Sequence, residues 1–176
     1  MMSSMDPGQL PGNTPLAFYR DRQHGFSLPY PEWWHAYDIP DGRLFSPAPS
    51  PEQVATFISV EARELGTPVT AADLPDLERG FLRGLRRVPG SKLESHTRYD
   101  VGFLVGLEAR QTYRRRRRWI RLLYRDALQV RLVAEGATAA EFDFWLPSFD
   151  PAMTGFDFDG GIAPIRDPAE EGARAS

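Results

Sequence analysis

Cysteine is absent from this chain of 176 residues, and Lys92 is its only lysine. Without a thiol there is no disulfide framework, no thiolate metal site, no cysteine nucleophile and no lipid-acceptor cysteine. Histidine is scarce: only His24, His35 and His96 occur. No two of them have the spacing of a metal-ligand pair, so no metal or catalytic role is expected for any. His24 is expected in an exposed turn and His35 packed beside two tryptophans. The nucleophile elbow, the P-loop and the dinucleotide-binding glycine pattern are all missing. Gly102 and Gly106 fall in a strand pattern and suit close backbone packing. Asp157 and Asp159 precede Gly160-Gly161, but the calcium-loop spacing and its closing glutamate are lacking. No stretch approaches the roughly 20 apolar residues of a membrane helix. The opening Met1-Met2-Ser3-Ser4-Met5-Asp6-Pro7-Gly8 has no basic and no apolar region of a signal peptide, and the expectation is a cytoplasmic protein.

What is present is ordinary globular material: 41% hydrophobic and 26% charged residues, enough for one domain with its own core. The net charge of −3 argues against a dedicated nucleic-acid binder. Its distribution is uneven. Residues 110–131 hold nine arginines and one acid, Asp126, for +8, whereas residues 135–176 hold nine acids and two arginines for −7. Partial mutual neutralisation of the two regions is the plain reading.

Residues 1–15, rich in Pro, Gly, Ser and Met, are expected to be a disordered arm, and residues 155–176 a flexible acidic tail. The folded body is then 16–154. Ala17 to Tyr19 reads as a strand and Asp21 to Gly25 as a turn. Phe26 to Tyr30 reads as a second strand whose Pro29 belongs at an edge. Pro31-Glu32-Trp33-Trp34 is a turn with two large aromatics, and Arg43 to Ser46 a further strand. Val54, Thr56, Ile58, Val60 and Ala62 alternate along one strand face. Leu74, Leu77, Phe81, Leu85 and Val88 make one helical stripe, opened by Thr70 and Asp73 as a near capping box and stopped by Pro89-Gly90. Phe103 to Ala109, Ile120 to Tyr124 and Leu128 to Leu132 form an antiparallel meander. Thr138 and Glu141 then cap a second helix with the stripe Phe142, Trp145, Leu146 and Phe149, bent or interrupted at Pro147. Strands and helices that segregate in this way predict the α+β class.

The segment Phe18-Tyr19-Arg20-Asp21-Arg22-Gln23-His24-Gly25-Phe26-Ser27-Leu28-Pro29-Tyr30-Pro31-Glu32-Trp33-Trp34 resembles the opening of PsbP-like domains. The order of the later elements is similar too, and the resemblance spans most of 17–150. It implies membership of a bacterial branch of the PsbP and DcrB-like superfamily and an α/β/α sandwich with a central, mainly antiparallel sheet. It also implies a non-enzymatic habit: such domains serve as photosystem subunits, lipoproteins, secretion-linked chaperones or GTPase-binding proteins. This chain lacks the lipoprotein cysteine and carries no partner motif of the other branches.

The one sharp feature is Arg114-Arg115-Arg116-Arg117-Arg118. In a strand, Arg114, Arg116 and Arg118 would share one face and Arg115 and Arg117 the other. Unpaired guanidiniums under a helix would cost several kcal/mol each, so the whole run is expected at a solvent-exposed strand connection. Two readings stay open there: a solvated turn, or a surface for an acidic protein, a phosphate group or an anionic membrane. The functional expectation is a non-enzymatic interaction domain for an unknown protein partner, with Trp33, Trp34 and Arg114 to Arg118 as contact surface and no cofactor. The rival is an anion or nucleic-acid binder that uses the run with Tyr113 and Trp119 as stacking groups. A hydrolase-like enzyme comes third.

Overall fold

The computed structural model describes residues 5–101 and 104–159. Ten strands and two α-helices follow one another as β1 (Leu16–Asp21), β2 (Phe26–Pro31), β3 (His35–Ile39), β4 (Gly42–Ser46), β5 (Phe57–Glu64), α1 (Leu74–Arg86), β6 (Ser91–Asp100), β7 (Val105–Tyr113), β8 (Arg116–Arg125), β9 (Leu128–Gly136), α2 (Ala139–Thr154) and β10 (Asp157–Phe158). The strands form a seven-stranded sheet ordered β3-β4-β5-β9-β8-β7-β6 and a three-stranded sheet ordered β1-β2-β10. Every pairing is antiparallel, and the chain is α+β. No described helix is long and apolar enough to cross a membrane.

Alternation along the central strands divides the core in two. Val105, Leu107 and Ala109 of β7 lie beside Tyr124, Leu122 and Ile120 of β8. α1 covers this face with Leu74, Leu82 and Leu85. The opposite face presents Trp119, Leu123, Val130, Leu132, Ile58 and Val60 to Phe142, Trp145, Phe149 and Met153 of α2 and to Phe26 and Leu28 of β2. Thr138 accepts a hydrogen bond from the Glu141 amide at 3.1 Å and so starts α2. A Cβ on Gly136 would stand 2.5 Å from the Phe142 nitrogen, so a glycine is what lets β9 pass so close beneath the helix.

Several sequence expectations need correction. The helical stripe omits Leu82, which is buried, while Leu77, Phe81 and Val88 are only partly so. α2 runs through Pro147 and Pro151 to Thr154 without a break. β5 starts at Phe57, after Val54 and Thr56. Thr56 is instead a tie to α2: its hydroxyl donates to Glu141 Oε2 at 2.6 Å and accepts from the Ala137 amide. β3 and β6 were not anticipated. β6 sets Leu93 against the core among mostly polar residues and carries an irregularity between Leu93 and Ser95, the usual protection of an edge strand, so it shows no apolar alternation. The opening arm holds a 3₁₀ turn at Pro7–Gln9, and Met5 packs on the core. Residues 156–158 are not part of a flexible tail, because Phe156 and the buried Phe158 join the core and β10 pairs with β2. Phe103, Gly102, Gly160, Gly161 and the acids from Asp167 onward lie outside the described residues.

Candidate functional site

The arginine run straddles a hairpin rather than sitting at its tip. Arg114 and Arg115 form the two-residue connection between β7 and β8 and are exposed. Arg116, Arg117 and Arg118 belong to β8 and are half-buried, which overturns the expectation of a wholly exposed run. Arg116 and Arg118 do share one face and Arg117 takes the other, but their charges are partnered. Arg116 Nη1 stands 2.7 Å from Glu135 Oε1 of β9 and 2.9 Å from the Ala55 carbonyl. Arg117 faces the other way, bound to Glu94 at 3.0 Å and to Asp143 of α2 at 2.6 Å. Arg118 donates to Gln111 Oε1 at 2.8 Å and lies 4.6 Å over the Tyr113 ring. Burial lowers the Arg118 pKa, with Tyr113 and Glu135 opposing it. Partners from four other elements satisfy these charges, which is what a buried guanidinium requires.

Gln111 extends this network. It is fully buried, and its amide donates to the Leu85 carbonyl at 2.6 Å and to the Ser91 hydroxyl. The Leu85 carbonyl in the last turn of α1, which also accepts from the Val88 amide at 3.3 Å, is thereby tied to a side chain that Arg118 holds in place.

The tryptophans divide as well. Trp34 is 4% exposed and packs edge-on against Trp145 at 5.3 Å and Phe149 at 6.1 Å. It is a core residue and not a contact surface. Trp33 is partly exposed, and its indole donates to the Thr14 hydroxyl at 3.4 Å. The stacking groups suggested for nucleic acid are both engaged: Trp119 is buried beneath Arg110 at 4.4 Å, and Tyr113 lies under Arg118 and donates to Glu135.

A polar cavity of about 530 Å³ opens between the two sheets, lined by Tyr19, Asp21, His24, Asp38, Arg43 and Glu64 among others. Asp21 caps its own turn there: Oδ1 accepts from the His24 amide at 2.9 Å, and Oδ2 lies 3.0 Å from His24 Nδ1. Burial pushes the Asp21 carboxyl up, and the hydrogen bonds from His24 outweigh it and hold the group below the ordinary carboxylate range. Arg43 pairs with Asp38 at 2.8 Å. No serine or threonine stands among the lining residues. His24 is thus a tied, half-buried residue, and His35 is exposed on β3 rather than packed. His96, on β6, lies 3.0 Å from Glu78. Among the described residues no three histidine, aspartate or glutamate side chains gather as a metal site would require.

No family model matches the chain. No curated protein matches it either. Solved structures do resemble it. The chain is similar to cyanobacterial PsbP (CyanoP) from Synechocystis sp. PCC 6803, with 17% identity and a TM-score of 0.61 over 89% of this chain and 98% of that one. It is also similar to LpqN of Mycobacterium tuberculosis, a protein involved in cell envelope biogenesis, with 12% identity and a TM-score of 0.55 over 82% and 91% of the two chains. At such identities the likeness is one of fold, and the fold is PsbP-like.

Proposed function

We propose that this chain is a non-enzymatic accessory domain, a PsbP-like α/β/α sandwich that works by binding another protein. The observation that carries this reading is the division of the arginine run. Arg116, Arg117 and Arg118 are committed to internal partners, whereas Arg114 and Arg115 project from the same rigid hairpin into solvent. Charged groups held out on a stiff scaffold steer and orient a partner and add little to folding. CyanoP shares the fold, and the accessory habit that the PsbP-like resemblance implies supports this reading over catalysis. The anion-binding alternative draws on the same two arginines, but its proposed stacking groups are occupied. The hydrolase-like reading finds an Asp21 and His24 pair whose carboxylate is already used to cap a turn.

The test is isolation of the full chain from its native cells with whatever co-elutes, followed by reconstitution of the complex from purified components. A stoichiometric reconstituted complex is the expected result. A chain that stays alone and hydrolyses ester or phosphoester probes, with the turnover lost in His24→Ala, overturns the reading.

A further inference from the structure

We infer that the C-terminal turn of α1 and the β7–β8 hairpin tip together form a docking surface for an acidic, amphipathic segment of a partner protein; this rests on the interaction reading above and names its surface. The two basic segments are distant in sequence and adjacent in space. A Cβ built on Gly90, just after α1, would lie 3.3 Å from the Arg114 nitrogen, so the exit turn of the helix rests on the hairpin. The Arg118–Gln111–Leu85 hydrogen bonds tie the same two pieces together from inside. Arg86 and Arg87 end the helix whose exit turn meets Arg114, with Arg83 one turn earlier, and these three and Arg114 and Arg115 are all exposed.

None of the five has a carboxylate within ion-pair distance among the described residues. The acids go instead to Arg43, Arg79, Arg98, Arg116, Arg117, Arg121 and Arg131. Complementing the helix dipole accounts for basic residues in the last turn of α1. It does not account for the hairpin. Arg114 holds φ at +54°, a left-handed conformation that costs a non-glycine residue roughly 1 kcal/mol or more. Glycine would take this conformation at less cost, so folding does not require an arginine there.

The shape selects among acidic partners. A groove of about 370 Å³ runs between Arg79, Arg83, Arg86 and Arg87 over the side chain of Leu82. Its floor is aliphatic and its rim is guanidinium, which fits carboxylates interleaved with a small apolar residue. Stable anchoring on an anionic membrane calls for an apolar or lipid element beside the basic patch. Among the described residues the large exposed apolar ones, Leu10, Leu16, Phe18, Val101 and Phe144, belong to none of the segments that build this corner. A nucleic acid would meet no free aromatic ring from Tyr113 or Trp119 and would meet a net charge of −3.

The experiment is fluorescence anisotropy of the full-length chain against a labelled peptide of Asp and Glu interleaved with leucine. Its Asn and Gln counterpart, phosphatidylserine vesicles and duplex DNA are the comparison ligands. The acidic peptide is expected to bind at low salt, about tenfold or more tighter than its amide counterpart, and to weaken as sodium chloride is added. Arg86→Gln with Arg87→Gln, and separately Arg114→Gly with Arg115→Ser, should each weaken it about tenfold, while Arg20→Gln with Arg22→Gln, an equal loss of charge elsewhere, should not. Arg114→Gly alone should leave the thermal midpoint unchanged or raise it, so lost binding cannot be blamed on lost folding. Failure to bind the acidic peptide, equal binding by all variants, or tighter binding to vesicles or DNA overturns the proposal. A reconstituted natural partner that the fourfold corner variant still binds at full strength overturns the corner and leaves the interaction reading standing.

Discussion

Arg116 and Glu135 form an ion pair at 2.7 Å across the β8–β9 ladder, with the carboxylate side chain 6% exposed and the guanidinium 32% exposed. Glu135 also receives the Tyr113 hydroxyl, so one buried carboxylate serves two donors. Glu135→Ala strands both and should lower stability by about 1–3 kcal/mol, less than for a wholly buried pair because Arg116 can reach water. Arg115→Ser, two residues from the tip of β7, should change it by no more than about 0.5 kcal/mol. Urea midpoints of the two variants check this. Equal midpoints would mean that the pair adds nothing to the fold.

The same carboxylate contributes to an alkaline limit. Burial, then the hydrogen bond and charge of Glu135, push the Tyr113 pKa up to about 12. Burial and Glu108 do the same for Tyr99, also to about 12. A phenol with a raised pKa in the fold stabilises it fully below its ordinary value of about 10, and that contribution is lost as pH rises through the folded value. Stability should therefore fall between pH 10 and about 12. Tyrosinate absorbance should show components near pH 12, one removed by Tyr99→Phe and another by Tyr113→Phe. Glu135→Gln should move the Tyr113 component down without returning it to the ordinary value, since burial is the first cause. A full return would make Glu135 the main cause.

How much of this was legible in the sequence depended on how local the cause was. Apolar alternation in β7, β8 and β9 announced itself, because period and burial coincide, and so did the existence of α1, though its buried face is centred on Leu82 rather than on the whole predicted stripe. So did the Thr138 cap, a contact three residues long. β6 was not legible: an edge strand protected by charge alternates no better than a loop. The tail's Phe156 and Phe158 were lost among polar neighbours, although two aromatics so close to α2 were a usable signal of a docked segment. The site was misread for a related reason. Arg116, Arg117 and Arg118 look stranded in sequence because Glu135, Glu94, Asp143 and Gln111 come from other elements, and the corner with α1 exists only once Gly90 meets Arg114. Trp33 and Trp34 could not be told apart locally, since only α2 decides which of them is covered.

That pair yields a direct comparison. Trp34 lies within the α2 interface, so Trp34→Ala should cost about 3–5 kcal/mol through the lost contacts and the cavity left behind. Trp33, partly exposed and 5.9 Å from Trp145, gives up less apolar contact, and Trp33→Ala should cost about 1–2 kcal/mol. Chemical denaturation monitored by far-ultraviolet circular dichroism is insensitive to the removed indole and reads both. If Trp33→Ala proves the more damaging, the packing of the turn before β3 is wrong.

The acid limit of the fold should trace to the other end of the molecule. Asp21 caps the turn into β2 through both carboxylate oxygens, and its hydrogen bonds with His24 hold its pKa below the ordinary range against the opposing effect of burial. A carboxyl depressed in the folded state contributes stability that is present above its unfolded value, about 4, and is lost as pH falls through the lower folded value. Wild-type stability should thus decline below about pH 4 more steeply than that of Asp21→Asn, which keeps one acceptor oxygen but has no proton to gain there. At neutral pH, Asp21→Asn should itself be less stable by about 1 kcal/mol, the scale of one charge-assisted hydrogen bond made neutral. The two stability curves should converge on acidification. Parallel curves would mean that Asp21 holds the turn by shape alone and that its charge does not matter to the fold.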